Sequence, residues 1–154
     1  MTVTGTPFSC IFDKFLLLVT DYRLLNLYES SQVDFETYLS GWLLYSINDF
    51  DVCDQVLTYS TITKLFTETL TDKNQLMLAK MMVKYWLEKE TRDITQMSLK
   101  IQDRDYRTFS EAQNLTAKSN HLILVKEEIS QALVEYNLKT NPWAEWYAGT
   151  YFVP

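Results

Sequence analysis

Apolar residues recur at spacings of three and four through TDKNQLMLAKMMVKYWLEKE, residues 71–90: Leu76, Met77, Ala79, Met81, Met82, Val83, Tyr85, Trp86 and Leu87, with no Gly or Pro among them. That period predicts a helix, and one so apolar must be covered on most sides. Thr71 is placed to cap its start and Asp72 sits in its first turn, while Lys84 and Lys89 lie toward the end, where the helix dipole favours cations. The other elements are expected to organise around it.

Upstream, residues 1–7 begin small and polar and read as an N-terminal arm without structure of its own. Thr6-Pro7 reads as an N-cap followed by proline at the first helical position. It opens a helix through FSCIFDKFLLLVTDY, with Phe8, Ile11, Phe12, Phe15 and Leu16 as its stripe and an end near residues 20–22. RLLNLYESS follows as an apolar-anchored connection. In the next helix Ser31 and Asp34 form a variant capping box, and Val33, Phe35, Tyr38, Leu39, Trp42, Leu43, Tyr45 and Ile47 wrap more than half of the circumference. Gly41 in its middle is unfavourable by ~1 kcal/mol against Ala, which points to a close helix–helix approach there.

Between residues 55 and 70 the period shifts toward two and threonine becomes frequent, which predicts a short β-hairpin turning near residues 60–63, or else an irregular loop. TRDITQMSLKIQ either continues the long helix or forms a separate one with Ile94, Met97, Leu99 and Ile101 inward. The run at residues 91–95 favours a kink or break. DRDYRTF is a charged turn, and Ser110 with Gln113 offers a second capping box. Ala112, Leu115, Leu122, Val125, Ile129, Ala132, Leu133 and Tyr136 then mark the inner face of a helix of ~40 Å, to be paired antiparallel with residues 71–90. The expected fold is mainly α: a helical bundle over residues 8–138 with two long antiparallel helices and a small β-hairpin, followed by an extended C-terminal tail over residues 139–154.

The tail breaks the pattern. Beyond Asn141-Pro142 come Trp143, Trp146, Tyr147, Tyr151 and Phe152 against a single charge, Glu145. Aromatic residues on a terminal segment are unfavourable in water, so the tail either packs back on its own bundle or docks on another chain. These five residues are the candidate protein interface.

Composition narrows the chemistry. The chain has 154 residues, 47% of them hydrophobic, with Gly 3 and Pro 3, which suits one helical domain with its own core. The aliphatic run Phe15–Val19 is far too short for a membrane span, and Asp13 and Lys14 spoil a signal-peptide reading, so a soluble protein made in the cytosol and no membrane partner are expected. Cys10 and Cys53 read as small packed hydrophobes. His121 is the only histidine, which rules out a two-histidine metal site and leaves a triad only that one ring. Asp49, Asp51 and Asp54 lack the glycine turn and closing glutamate of an EF-hand. Lys100, Arg104 and Arg107 are interleaved with Asp103 and Asp105 and form a solvated turn. Met77, Met81, Met82 and Met97 read as core filler. With a formal charge of -6 the chain has no electrostatic footprint for gripping phosphates. No cofactor, metal or catalytic residue is expected, and the chain reads as a binding or structural module rather than an enzyme.

The order FDKFLLLVTDY, FTETLTDKNQ, LAKMMVKYWLEKE, DRDYRTFSEAQNL and EEISQALVEY resembles a family of small tailed-bacteriophage proteins, the head–tail connector or adaptor (neck) proteins of phages of low-GC Gram-positive hosts. The resemblance runs from about Phe8 to Tyr136 and is most specific in LTDKNQLMLAKMMVKYWL and DYRTFSEAQNL; the aromatic tail lies outside it. It implies a virion protein at the head–tail interface, made in the bacterial cytoplasm. Its copies would join as a ring between portal and tail proteins and line a channel through which DNA passes without sequence-specific binding. The alternative is a phage-encoded helical regulatory or inhibitory protein that acts through one host protein contact.

Overall fold

The computed structural model describes the backbone of residues 5–101 and 108–140, and the side chains of residues 5–96 and 116–140. Among these described residues five helices and one hairpin follow in the order α1 (Phe8–Leu18), α2 (Tyr22–Ser30), α3 (Gln32–Asp49), β1 (Tyr59–Ser60), β2 (Leu65–Phe66), α4 (Asp72–Ile101) and α5 (Thr108–Thr140). The mainly α bundle with a small antiparallel hairpin is as the sequence predicts.

α4 is the centre. Thr71 caps it, its hydroxyl accepting the Asn74 N–H at 3.3 Å, and Leu78, Ala79, Met81 and Met82 are fully buried within it. Covering a leucine or methionine side chain stabilises by about 1.5–3 kcal/mol. α1, α3 and α5 each pack directly on α4, while α2 packs on α3. The three buried methionines Met77, Met81 and Met82 are core residues as expected, whereas Leu76 faces water. No break occurs after Glu90. Thr91 and Thr95 return their hydroxyls to the carbonyls of Leu87 and Thr91, at 2.8 Å each, so the polar run is satisfied inside the helix.

α5 runs antiparallel to α4, because Lys118 and Lys126 meet Glu90 and Glu88 while Tyr136 meets Asn74. Ile129 and Tyr136 are buried, and Leu122, Val125, Ala132 and Leu133 pack against the core as the periodicity predicts. The helix begins at Thr108, two residues before the expected cap at Ser110, whose side chain lies outside the described residues, as do those of Met97, Leu99, Ile101, Ala112 and Leu115. The turn expected at residues 103–109 falls mostly outside them too.

Several local expectations are corrected. α1 ends at Leu18, and RLLNLYESS is the helix α2 rather than a connection: Asp21 caps it by accepting the Arg23 N–H at 2.8 Å, and Leu24 anchors it in the core. The α1 stripe holds at Phe8, Ile11, Phe12 and Phe15, but Leu16 is exposed. Thr6 does not cap α1, since Pro7 occupies the N-cap position and the Thr6 hydroxyl accepts the Leu70 N–H at 2.7 Å. Nor are residues 5–7 a free arm. The Phe66 N–H donates to the Thr6 carbonyl at 2.9 Å, the Phe8 N–H donates to the Lys64 carbonyl at 2.9 Å, and Pro7 forms an antiparallel bridge to Leu65. In α3 the Ser31 hydroxyl accepts the Asp34 N–H at 3.3 Å, and Phe35, Leu39 and Leu43 are buried, but Val33 and Tyr45 face water. Gly41 makes no close approach, because a Cβ there would meet nothing within 4 Å.

Candidate functional site

The densest polar cluster joins the loop after α3 to both long helices. The Tyr136 hydroxyl donates to the Asp54 carboxylate and accepts the Asp54 N–H at 3.0 Å. Asn74, fully buried, donates to Asp54 Oδ1 and to Gln55 Oε1 at 2.8 Å each, and Gln55 Oε1 also accepts the Thr71 N–H. Lys73 lies 4.0 Å from the centre of the Tyr136 ring. Hydrogen bonds from Tyr136 and Asn74 hold the Asp54 carboxyl below its ordinary range. Burial pushes the phenol of Tyr136 and the thiol of Cys53 up. Asp54 therefore stays ionised, and Tyr136 and Cys53 stay protonated near neutrality. Such a set is poorly poised for proton transfer or nucleophilic attack; it locks α5 to α4 and to the loop.

The three aspartates weighed as a cation site do not converge. Asp54 belongs to this lock, while Asp49 pairs with Lys84 at 2.6 Å, which holds its carboxyl below the usual range. Among the described residues no group of three or more His, Cys, Asp or Glu could hold a metal. His121 sits exposed on α5, at the edge of a shallow cavity shared with Leu18, Val83 and Val125.

The surface offers more than the interior. At the α1–α2 corner Leu17 is 87% exposed, Tyr22 is 80% exposed, and Leu25 and Tyr28 are half-exposed. Beside them a cavity of about 340 Å³ is walled by Leu16, Val19, Leu24 and Phe35. Its lining holds no cation, and Arg23, next in the chain to Tyr22, is already committed to Asp21 and to the buried Glu90. A second groove, of about 500 Å³, lies between α3 and α4. Trp42, Tyr45 and Tyr85 line it as a chain of tilted rings 6.3 and 5.6 Å apart, and Lys89, Arg92 and Asp93 of α4 complete the lining together with Glu88 and Gln96. The indole N–H of Trp42 is enclosed and has no acceptor among the described residues. Along α5, Ile123, Leu124, Val134 and Leu138 are exposed.

No family model, curated protein or solved structure matches this chain. Trp143, Trp146, Tyr147, Tyr151 and Phe152, the interface expected from sequence, lie outside the described residues. The sequence reading missed Arg92 and the aromatic groove, because it assigned Trp42, Tyr45 and Tyr85 to core stripes. The available signal was that Tyr45 and Tyr85 carry polar tips and sit on the α3 and α4 faces that meet. No described helix is long and apolar enough to cross a membrane.

Proposed function

We propose that this chain is a structural virion protein of a tailed phage, a head–tail connector or adaptor subunit whose copies form a ring between portal and tail and line the DNA channel. The observation that carries the reading is the apolar α1–α2 corner, left in water on a bundle whose core is otherwise well filled. Large exposed apolar patches mark surfaces that another chain covers. A ring is a heterologous assembly and needs two different adhesive surfaces on each copy. The aromatic tail supplies one, and the grooves and corner of the bundle offer its complement. The blocks LTDKNQLMLAKMMVKYWL and DYRTFSEAQNL support the family assignment, and the charge of -6 suits a wall that DNA slides past.

Native mass spectrometry of the chain, alone and with a portal protein, tests this. A ring-sized oligomer is the expected result. A monomer that ignores the portal and captures one host protein would instead favour the regulatory or inhibitory role, which the discrete cavity at the α1–α2 corner could serve. Truncation at Asn141 is expected to leave a folded domain that fails to assemble; unimpaired assembly would remove the tail from the mechanism.

A further inference from the structure

We propose that the groove between α3 and α4 is the receptor for residues 141–154 of a second copy of this chain, with Arg92 pairing Glu145 and the tail's indoles stacking on Trp42, Tyr45 and Tyr85. The inference rests on the assembly role given to the tail above.

Chemistry selects this groove over the corner. The tail is aromatic with one charge, the carboxylate of Glu145 set between Trp143 and Trp146. A matching receptor needs aromatic walls and one uncommitted cation. In the α3–α4 groove Lys89 is held by Asp93 at 3.0 Å and Glu88 by Lys126 at 2.9 Å, whereas Arg92 is exposed and has no carboxylate partner among the described residues. A guanidinium can grip a carboxylate with two parallel hydrogen bonds, and it also stacks on aromatic faces. The corner cavity also has aromatic walls, in Tyr22, Tyr28 and Phe35, but its lining holds no cation and carries the Asp21 carboxylate, which would repel Glu145, and the Arg23 beside it is already spent on two carboxylates. The orphaned indole N–H of Trp42 adds a second reason: a small turn of that ring would give it a backbone carbonyl from an extended segment laid in the groove.

Geometry selects a second copy over the chain's own tail. Tyr136 beside Asn74 places the end of α5 near the start of α4. Arg92 lies 18 residues farther along α4, ~27 Å at 1.5 Å per residue. α5 continues past Tyr136 to Thr140 in the opposite direction. From there Glu145 is five residues away, at most ~18 Å of extended chain. Glu145 cannot reach Arg92 of its own copy, so an occupant of this kind must come from a neighbour, a head-to-tail contact that propagates around a ring.

Sedimentation velocity of the full-length chain tests the pairing. Arg92→Glu and Glu145→Lys should each weaken self-association by about tenfold or more. An equimolar mixture of the two variants should recover it, because every contact between unlike copies is again oppositely charged. Arg92→Glu associating like the unmodified chain, or a mixture that fails to recover, overturns the groove and leaves the ring reading standing. Should the unmodified chain remain monomeric, a synthetic peptide of residues 141–154 is titrated into it while the Trp42 indole N–H resonance is followed, with Trp42→Phe to assign it. A shift that Arg92→Glu abolishes keeps the groove and overturns the ring; no shift overturns the groove itself.

Discussion

Gly5 sits where the chain enters the bundle, and its backbone lies so close to β2 that a Cβ would come within 2.1 Å of the Phe66 carbonyl oxygen. That neighbour is strand backbone and cannot turn aside. Gly5→Ala is therefore expected to destabilise by about 1–3 kcal/mol, the range for overpacking, in urea denaturation. Gly41→Ala, with nothing near its Cβ, should stabilise by about 0.5–1 kcal/mol through helix propensity alone. The two substitutions look alike in the sequence and only tertiary placement separates them. Tyr136 offers a test with a sign. Removing its hydroxyl in Tyr136→Phe leaves the buried Asn74 Oδ1 without its donor and takes one hydrogen bond from Asp54, for a loss of about 1–3 kcal/mol. Because the folded carboxyl of Asp54 is depressed, its contribution is present above the unfolded carboxylate pKa and fades as pH falls through the folded value. Denaturation between about pH 2 and 5 should show a shallower acid limb in Tyr136→Phe than in the unmodified protein.

Glu90 works between elements, since it is buried on α4 and faces Arg23 of α2 and, at 3.8 Å, Lys118 of α5. Arg23 is largely exposed and keeps Asp21, and Lys118 is left to water, so the loss from Glu90→Ala should fall below the ~3–5 kcal/mol of a fully enclosed pair. Hydrogen exchange should localise the effect, with α2 amides losing protection ahead of those in the middle of α4; uniform loss would mean that the triad holds the whole bundle. The long helices were legible because nine apolar residues at helical spacing leave no other reading of residues 71–90. α2 was not, because its inner face amounts to Leu24 and Leu27, too short a stripe to stand out from a linker. The continuity of α4 was hidden by Thr91 and Thr95, which look like breakers until their hydroxyls find carbonyls four residues back. Residues 5–7 looked like an arm for a related reason: the backbone bonds and the single bridge that hold them to residues 64–68 carry no side-chain signature.

At the scale of the molecule, α1, α3 and α5 cover the apolar side of α4, so further contacts use what those helices turn outward together with the groove edge of α4 at Tyr85 and Arg92. Leu17 and Leu25 are exposed at the α1–α2 corner while their neighbours Phe15 and Leu24 are buried, which separates adhesion from folding residue by residue. Replacing both outward residues, Leu17→Lys with Leu25→Lys, keeps good helix formers and removes no core contact. The denaturation midpoint should then stay within the ±0.5 kcal/mol of an ordinary surface change. Uptake of the chain into particles containing the portal protein, followed by co-sedimentation, should fall sharply under the connector proposal, while the proposed tail-mediated self-association through the α3–α4 groove should not. A variant that unfolds would place the corner within the stabilising core. Undiminished uptake would mean that the corner faces no portal and that the groove and tail alone organise the assembly.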